Sequence, residues 1–227
     1  MVNGLPTLSS LTQLKTIHLE RLIVPPLQDF NIKVLPNLEK LSLSLCEGIG
    51  NMSRFNNTQL NLKLPIMLEL NFDYCCDLEE FPLGICDMIS IQKLSITNCH
   101  LLQKLPSDLG NLISLRMLRL SGCLGMKELP TSIGTLGKLE YLDISLCGRL
   151  KELPEEIGHL RKLEEIDMRE CSHLRKLPKS IGGVKSLKHV ICDEKMRKEW
   201  MHVKISNIMD LRVDVIEEQF SLDWLDD

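Results

Sequence analysis

One phrase of about 24 residues recurs along this chain and constrains its fold more than any other feature. Around Cys123 it places Leu115, Leu118 and Leu120 before the cysteine, then Met126, Leu129, Pro130, Ile133, Gly134 and Leu136 after it. Cys99, Cys147 and Cys171 hold the same place in phrases of the same spacing. A unit this short cannot bury its own leucines, so it must stack against copies of itself. Aromatic residues make up 4% of the chain, which leaves the stacked leucines as the core.

The L-x-x-L-x-L opening predicts a very short strand with both flanking leucines turned inward. Parallel pairing of such strands defines an α/β leucine-rich repeat solenoid, with the strands on the concave face. The L-P-x-x-I-G-x-L half returns the chain over the convex face as helical or 3₁₀ turns. Proline is expected where each turn starts and glycine where it ends. Strand phrases begin near Leu14, Leu38, Met67, Ile91, Leu115, Leu139, Leu163 and Leu187, about eight repeats. The step between them is constant except for one longer step, between Leu41 and Leu70. The extra residues fall within 48–64, read as an irregular insert on the convex side.

Nine cysteines are present, an odd number, and most occupy the ladder position of the phrase. They read as small buried hydrophobes in a reducing, cytoplasmic setting. Nuclear or plasma-membrane association of a full-length protein is compatible with that setting. The C-x-x-C or C…H spacing of a zinc site is absent. The net charge of -4 disfavours nucleic acid. No apolar run reaches the roughly 18 residues a span requires, so no membrane contact is expected of this segment. Gly134-Thr135-Leu136-Gly137-Lys138 resembles a phosphate loop, but Leu139 stands where Ser or Thr is needed and the repeat explains the glycines. Cys76 and Cys86 lie off the ladder with no histidine placed to activate them. The sequence therefore predicts no enzyme and no cofactor.

Residues 1–192 are expected to form the solenoid and 193–227 a C-terminal cap with an acidic-aromatic tail. Asp193 would cap a helix reaching about Val203, with Met196, Trp200 and Val203 on one face. Leu211, Val213 and Val215 alternate as a strand does. The first residues, Leu5-Pro6 with Leu8, Leu11 and Leu14, read as the second half of a repeat without a polar cap, so the chain is expected to be the C-terminal piece of a longer protein.

The repeat phrase together with the ending resembles the leucine-rich repeat domain of plant nucleotide-binding immune receptors. Val190-Ile191-Cys192-Asp193, Leu211-Arg212-Val213 and Asp223-Trp224-Leu225-Asp226-Asp227 are similar to the C-terminus of the helper class, the activated-disease-resistance and N-requirement group with a powdery-mildew-resistance-type helical domain. The resemblance implies upstream helical and nucleotide-binding domains that are absent from this chain. It implies docking of a signal-loaded lipase-like heterodimer, followed by oligomerisation through those upstream domains. A cytosolic adaptor of the Ras-group repeat type, and the repeat domain of a ligase, are the alternatives. The former normally has Asn at the ladder and a period shorter by one, and the latter needs more chain than follows Cys192.

Residues between and flanking the strand leucines should face the concave surface. Met117, Tyr141, Leu146 and Ile191 are apolar there, and Asp143, Asp167 and Arg169 add charge. The expected partner anchors are Arg119, Tyr141, Asp143, Asp167, Arg169, His189 and Asp193, with Trp200 and Trp224 in the cap. Tyr141 and Arg169 are expected to be exposed enough to replace without loss of stability.

Overall fold

The computed structural model describes residues 12–24, 35–49, 66–203 and 211–215. Nine parallel strands follow one another in chain order in a single sheet. They are β1 (Thr16–Glu20), β2 (Lys40–Ser44), β3 (Glu69–Asp73), β4 (Lys93–Thr97), β5 (Met117–Arg119), β6 (Tyr141–Asp143), β7 (Glu165–Asp167), β8 (His189–Cys192) and β9 (Arg212–Val215). The architecture is the predicted leucine-rich repeat solenoid. Register is constant: Lys93, Met117, Tyr141, Glu165 and His189 pair in succession, as do Ser95, Arg119, Asp143 and Asp167. The intervening leucines and isoleucines, such as Leu94, Leu118, Leu142 and Ile166, are fully buried.

Each of the first seven coils turns inward just after its strand through one residue in the left-handed region. These are Arg21, Leu45, Tyr74, Asn98, Gly122, Leu146 and Glu170, with φ between 50° and 73°. Only one of them is glycine, so six L-residues hold a conformation that costs about 1–2 kcal/mol each. The turn brings the backbone N–H onto the next coil, as in Asn98 N–H to the Ser121 carbonyl (2.9 Å) and Leu146 N–H to the Arg169 carbonyl (2.9 Å). Leu22 follows Arg21, and in the other six coils the ladder cysteine follows immediately. Its thiol donates to a strand-end carbonyl of the preceding coil: Cys123 to Ile96 at 3.4 Å, Cys147 to Leu120 at 3.1 Å and Cys171 to Ile144 at 3.0 Å. All nine cysteines are free, and all but Cys76 are buried.

The convex side consists of five-residue 3₁₀ turns, among them Ser107–Asn111, Thr131–Thr135 and Glu155–His159. Proline stands just before each turn as its N-cap, as expected. Glycine does not end the turn. It is the fourth of the five residues, and its reason is space rather than dihedral freedom. A Cβ on Gly134 would lie 2.5 Å from the Glu156 carbonyl oxygen, and one on Gly158 would lie 2.5 Å from that of Ser180. Successive turns contact backbone to backbone at this point. In the turn Leu83–Asp87 the same position holds Cys86, which accounts for a buried thiol off the ladder.

The C-terminal end differs from the expectation in one respect. Helix α1 (Glu194–His202) starts at Asp193, whose carboxylate accepts the Met196 N–H at 3.0 Å. Met196 and Trp200 are buried and Val203 packs beside them. The strand Arg212–Val215 does not lie in a separate cap. It is β9, paired to β8 with His189 opposite Arg212, almost one full repeat further along the chain. In the eighth coil, between β8 and β9, an α-helix replaces the ladder cysteine and the L-P turn, so a search for the phrase stops there and misses the ninth strand. The insert beyond Ile49, the first eleven residues and the tail with Trp224 lie outside the described residues.

Candidate functional site

The outer face of the sheet carries three columns of side chains, set by the constant register. The first column, before the inward leucine, contains Lys40, Glu69 and Lys93, with Glu69 bridging both lysines at 3.0 and 3.1 Å. It continues through Met117 and Tyr141, both half-buried, to Glu165, His189 and Arg212. The second column contains Arg119, Asp143 and Asp167. The third contains Ser121, Ser145 and Arg169, and the Ser121 and Ser145 hydroxyls share a hydrogen bond of 2.8 Å.

Asp143 and Asp167 stand on this face, but they are not exposed charges. Their residues are 5% and 1% accessible. Asp143 Oδ1 accepts the Ser145 backbone N–H at 3.0 Å and its hydroxyl at 2.6 Å, and Oδ2 accepts Arg119 Nε at 3.2 Å. Asp167 accepts the Arg169 backbone N–H at 3.2 Å, its Nε at 3.0 Å and its Nη2 at 2.7 Å. Burial pushes the Asp167 carboxyl up, and the Asp143 charge adds to that, while the bonds from Arg169 act the other way. The two aspartates thus hold the two arginines rather than meeting a partner. The arginines present the charge, with side chains 41% and 39% accessible. The Arg119 guanidinium lies 5.7 Å from the centre of the Tyr141 ring, a cation–π distance. The adjacent Tyr141 side chain and the Asp143 carboxylate raise its proton affinity.

His189 lies between two carboxylates, with Nδ1 3.2 Å from Glu165 and Nε2 3.0 Å from Asp214. Burial lowers its proton affinity, but hydrogen bonds to Asp214 and Glu165 outweigh it and the net shift is upward. It ties β7, β8 and β9 together. Asp193 is engaged as the helix cap. Trp200 packs into the core at 4% accessibility, which corrects its reading as a surface anchor: the helix face that completes the hydrophobic stack is the face that carries it. Arg169 is also less replaceable than expected, since its guanidinium is the one salt-bridged to Asp167. Of the anchors, Arg119, Tyr141 and Arg169 come together on adjacent coils. Leu146, 39% accessible and left-handed, stands beside them. The Ser145 contact had no sequence signal, because the repeat phrase leaves that position unspecified.

Other chemistry is sparse here. Among the described residues no three histidines, cysteines or carboxylates gather as metal ligands, and no helix is long and apolar enough to cross a membrane. Burial pushes the Cys123 and Cys171 thiols up to about 12, so they stay protonated at neutral pH.

Fold and repeat together define a leucine-rich repeat solenoid. Residues 90–112 and 138–160 match the Leucine Rich Repeat family model. In sequence the chain is similar to a probable disease resistance protein of Arabidopsis thaliana, 38% identical over 99 residues that make up 44% of this chain and 23% of the relative. A putative disease resistance protein of the same plant is 39% identical over 94 residues, 40% of this chain and 14% of the relative. The aligned part spans a quarter or less of the length of these relatives. In structure the chain is similar to the leucine-rich repeat domain of the type III effector XopL, with a TM-score of 0.55 at 18% identity over 88% of this chain and 75% of that one. Internalin C2 from Listeria monocytogenes gives 0.56 at 15% identity over 93% and 84%. At these identities the likeness is one of fold alone.

Proposed function

We propose that this chain is the protein-recognition domain of a plant intracellular immune receptor of the helper class. Its outer sheet face would dock a signal-loaded lipase-like heterodimer, and docking would release nucleotide-binding and helical domains elsewhere in the receptor. The similarity to plant disease resistance proteins supports the receptor assignment. The observation that carries the docking reading is the cluster of Arg119, Tyr141, Leu146 and Arg169 on adjacent coils of a parallel sheet. Tyrosine and arginine dominate binding energy where they are fixed in place, because little side-chain entropy is then lost on association. Asp143, Asp167 and Asp193 act by positioning, and Trp224 belongs to the tail contact of the same reading. The role is recognition in the cytoplasm, without catalysis and without membrane contact by this segment.

The test is capture of the signal-loaded heterodimer by the chain and by a Tyr141→Ala/Leu146→Glu variant. Both side chains are partly or largely exposed, so the variant should melt close to the parent and lose the complex. Undiminished capture by the folded variant would move the site elsewhere. Absence of capture by the parent chain would remove the heterodimer as partner.

A further inference from the structure

We propose that Arg119 and Arg169 form a two-point seat for the carboxylates of an acidic segment on the docked protein. This rests on the reading of the outer sheet face as a docking surface and names the chemistry of its occupant. The register puts Arg119, Asp143 and Asp167 in one row across β5, β6 and β7, and Arg169 follows Asp167 by two positions. Each guanidinium is fixed along one edge by a buried carboxylate, Arg119 through Nε at 3.2 Å and Arg169 through Nε and Nη2 at 3.0 and 2.7 Å. The aspartates leave the Nη groups of Arg119 and the Nη1 of Arg169 to other acceptors. Those donors sit on side chains that are 41% and 39% accessible.

An ordinary surface arginine loses up to about 2 kcal/mol of rotamer freedom when it binds. Here the aspartates have already removed much of that freedom. Their own negative charge is covered, at 5% and 1% accessibility, so a cationic partner finds no carboxylate to read at this point. What projects is two guanidinium forks, which match carboxylates in plane and spacing. Arg119 lies on β5 and Arg169 two residues past the end of β7, so two strand steps and a two-residue rise separate their backbones by roughly 12 Å. Two acidic side chains of one segment span that distance, whereas a single phosphate group does not bridge it. Tyr141 lies on the strand between them, so an apolar residue flanked by acids is the complementary pattern.

The probe is a hexaglutamate peptide titrated into the full chain, read through the arginine side-chain N–H resonances, with inorganic phosphate and hexalysine in parallel. The expected result is saturable movement of the Arg119 and Arg169 Nε–H signals with hexaglutamate. An Arg119→Lys/Arg169→Lys variant keeps both charges above the aspartates but loses the forks, and should bind about tenfold more weakly. Arg119→Gln alone, which leaves Asp143 bonded to Ser145, should also weaken binding. Equal binding by the lysine variant, movement centred on the exposed Arg116 and Arg197, or an equal response to phosphate would each overturn the proposal. If capture of the heterodimer still depends on Tyr141 while hexaglutamate does not bind, this inference alone fails. If capture is lost as well, the docking reading falls with it.

Discussion

Replacing Arg169 by methionine tests the idea that this face is organised from beneath. Asp167 is 1% accessible, and its side chain accepts bonds from the backbone and guanidinium of Arg169. Methionine retains the backbone N–H at 3.2 Å and removes the charge. Removing one partner of a buried ion pair costs about 3–5 kcal/mol. The lower end applies, because the guanidinium is 39% accessible and water can reach the space it leaves. About 3 kcal/mol corresponds to a fall in Tm of roughly 6–12 °C for a chain of this size. The loss should depend on pH. Without Arg169 the folded state disfavours the ionised carboxylate still more, so the folded pKa of Asp167 moves further above its unfolded value near 3.8. Between those two values the folded state binds the extra proton, and stability falls as pH rises through that window. Urea unfolding at pH 7 and at pH 4.5 should therefore show the larger deficit at pH 7. Asp167→Asn in the same background should recover most of it and flatten the pH dependence. A deficit under about 1 kcal/mol at pH 7, or no recovery by Asn, would show that Asp167 does not depend on Arg169.

Gly134→Ala should cost about 1–3 kcal/mol in thermal or urea unfolding, because its Cβ would meet the Glu156 carbonyl at 2.5 Å and backbone must move. Leu146→Gly should be neutral or stabilising by up to about 1 kcal/mol despite glycine's entropy, since φ is 60° there; a clear loss of stability would mean that the leucine packs. His189 has a raised pKa in the fold, so its contribution is full below the usual imidazole value near 6.5 and is lost as pH rises through the folded value. Melting temperatures of the parent chain and of His189→Gln should diverge at pH 5.5 and converge by pH 9. Thiol titration of the native chain should find one fast group, Cys76, and eight more after denaturation.

Much of the fold was legible because the phrase reports burial directly. Leu118, Leu142 and Ile166 are inward for the reason their spacing suggests, and the prolines start the convex turns. What was not legible lies where contacts run between coils rather than along the chain. The glycine of the phrase looked like a helix terminator, and its true neighbour is a carbonyl on the next coil, Glu156 for Gly134. The ninth strand was visible as an alternation, but its place in the sheet depends on a helix that matches no phrase. The candidate site was legible in position and only partly in role. A charged residue between strand leucines is predictably on the outer face, yet nothing in the sequence says that Asp167 sinks beneath the side chain of Arg169. Likewise the sequence puts Trp200 on one helix face with Met196 and Val203, and the packing of α1 turns that face into the core rather than toward a partner.

The constant register has a geometric consequence for whatever settles on the sheet. Side chains in a column repeat at the strand spacing, about 4.8 Å. A helical segment laid across the strands repeats every turn, about 5.4 Å, so the two rulers drift by about 0.6 Å per coil and are half a step out of phase after about four coils. A straight helix can therefore keep in step with roughly four adjacent coils and no more. The span from β5 to β8, which holds Arg119, Tyr141, Arg169 and His189, is four coils long.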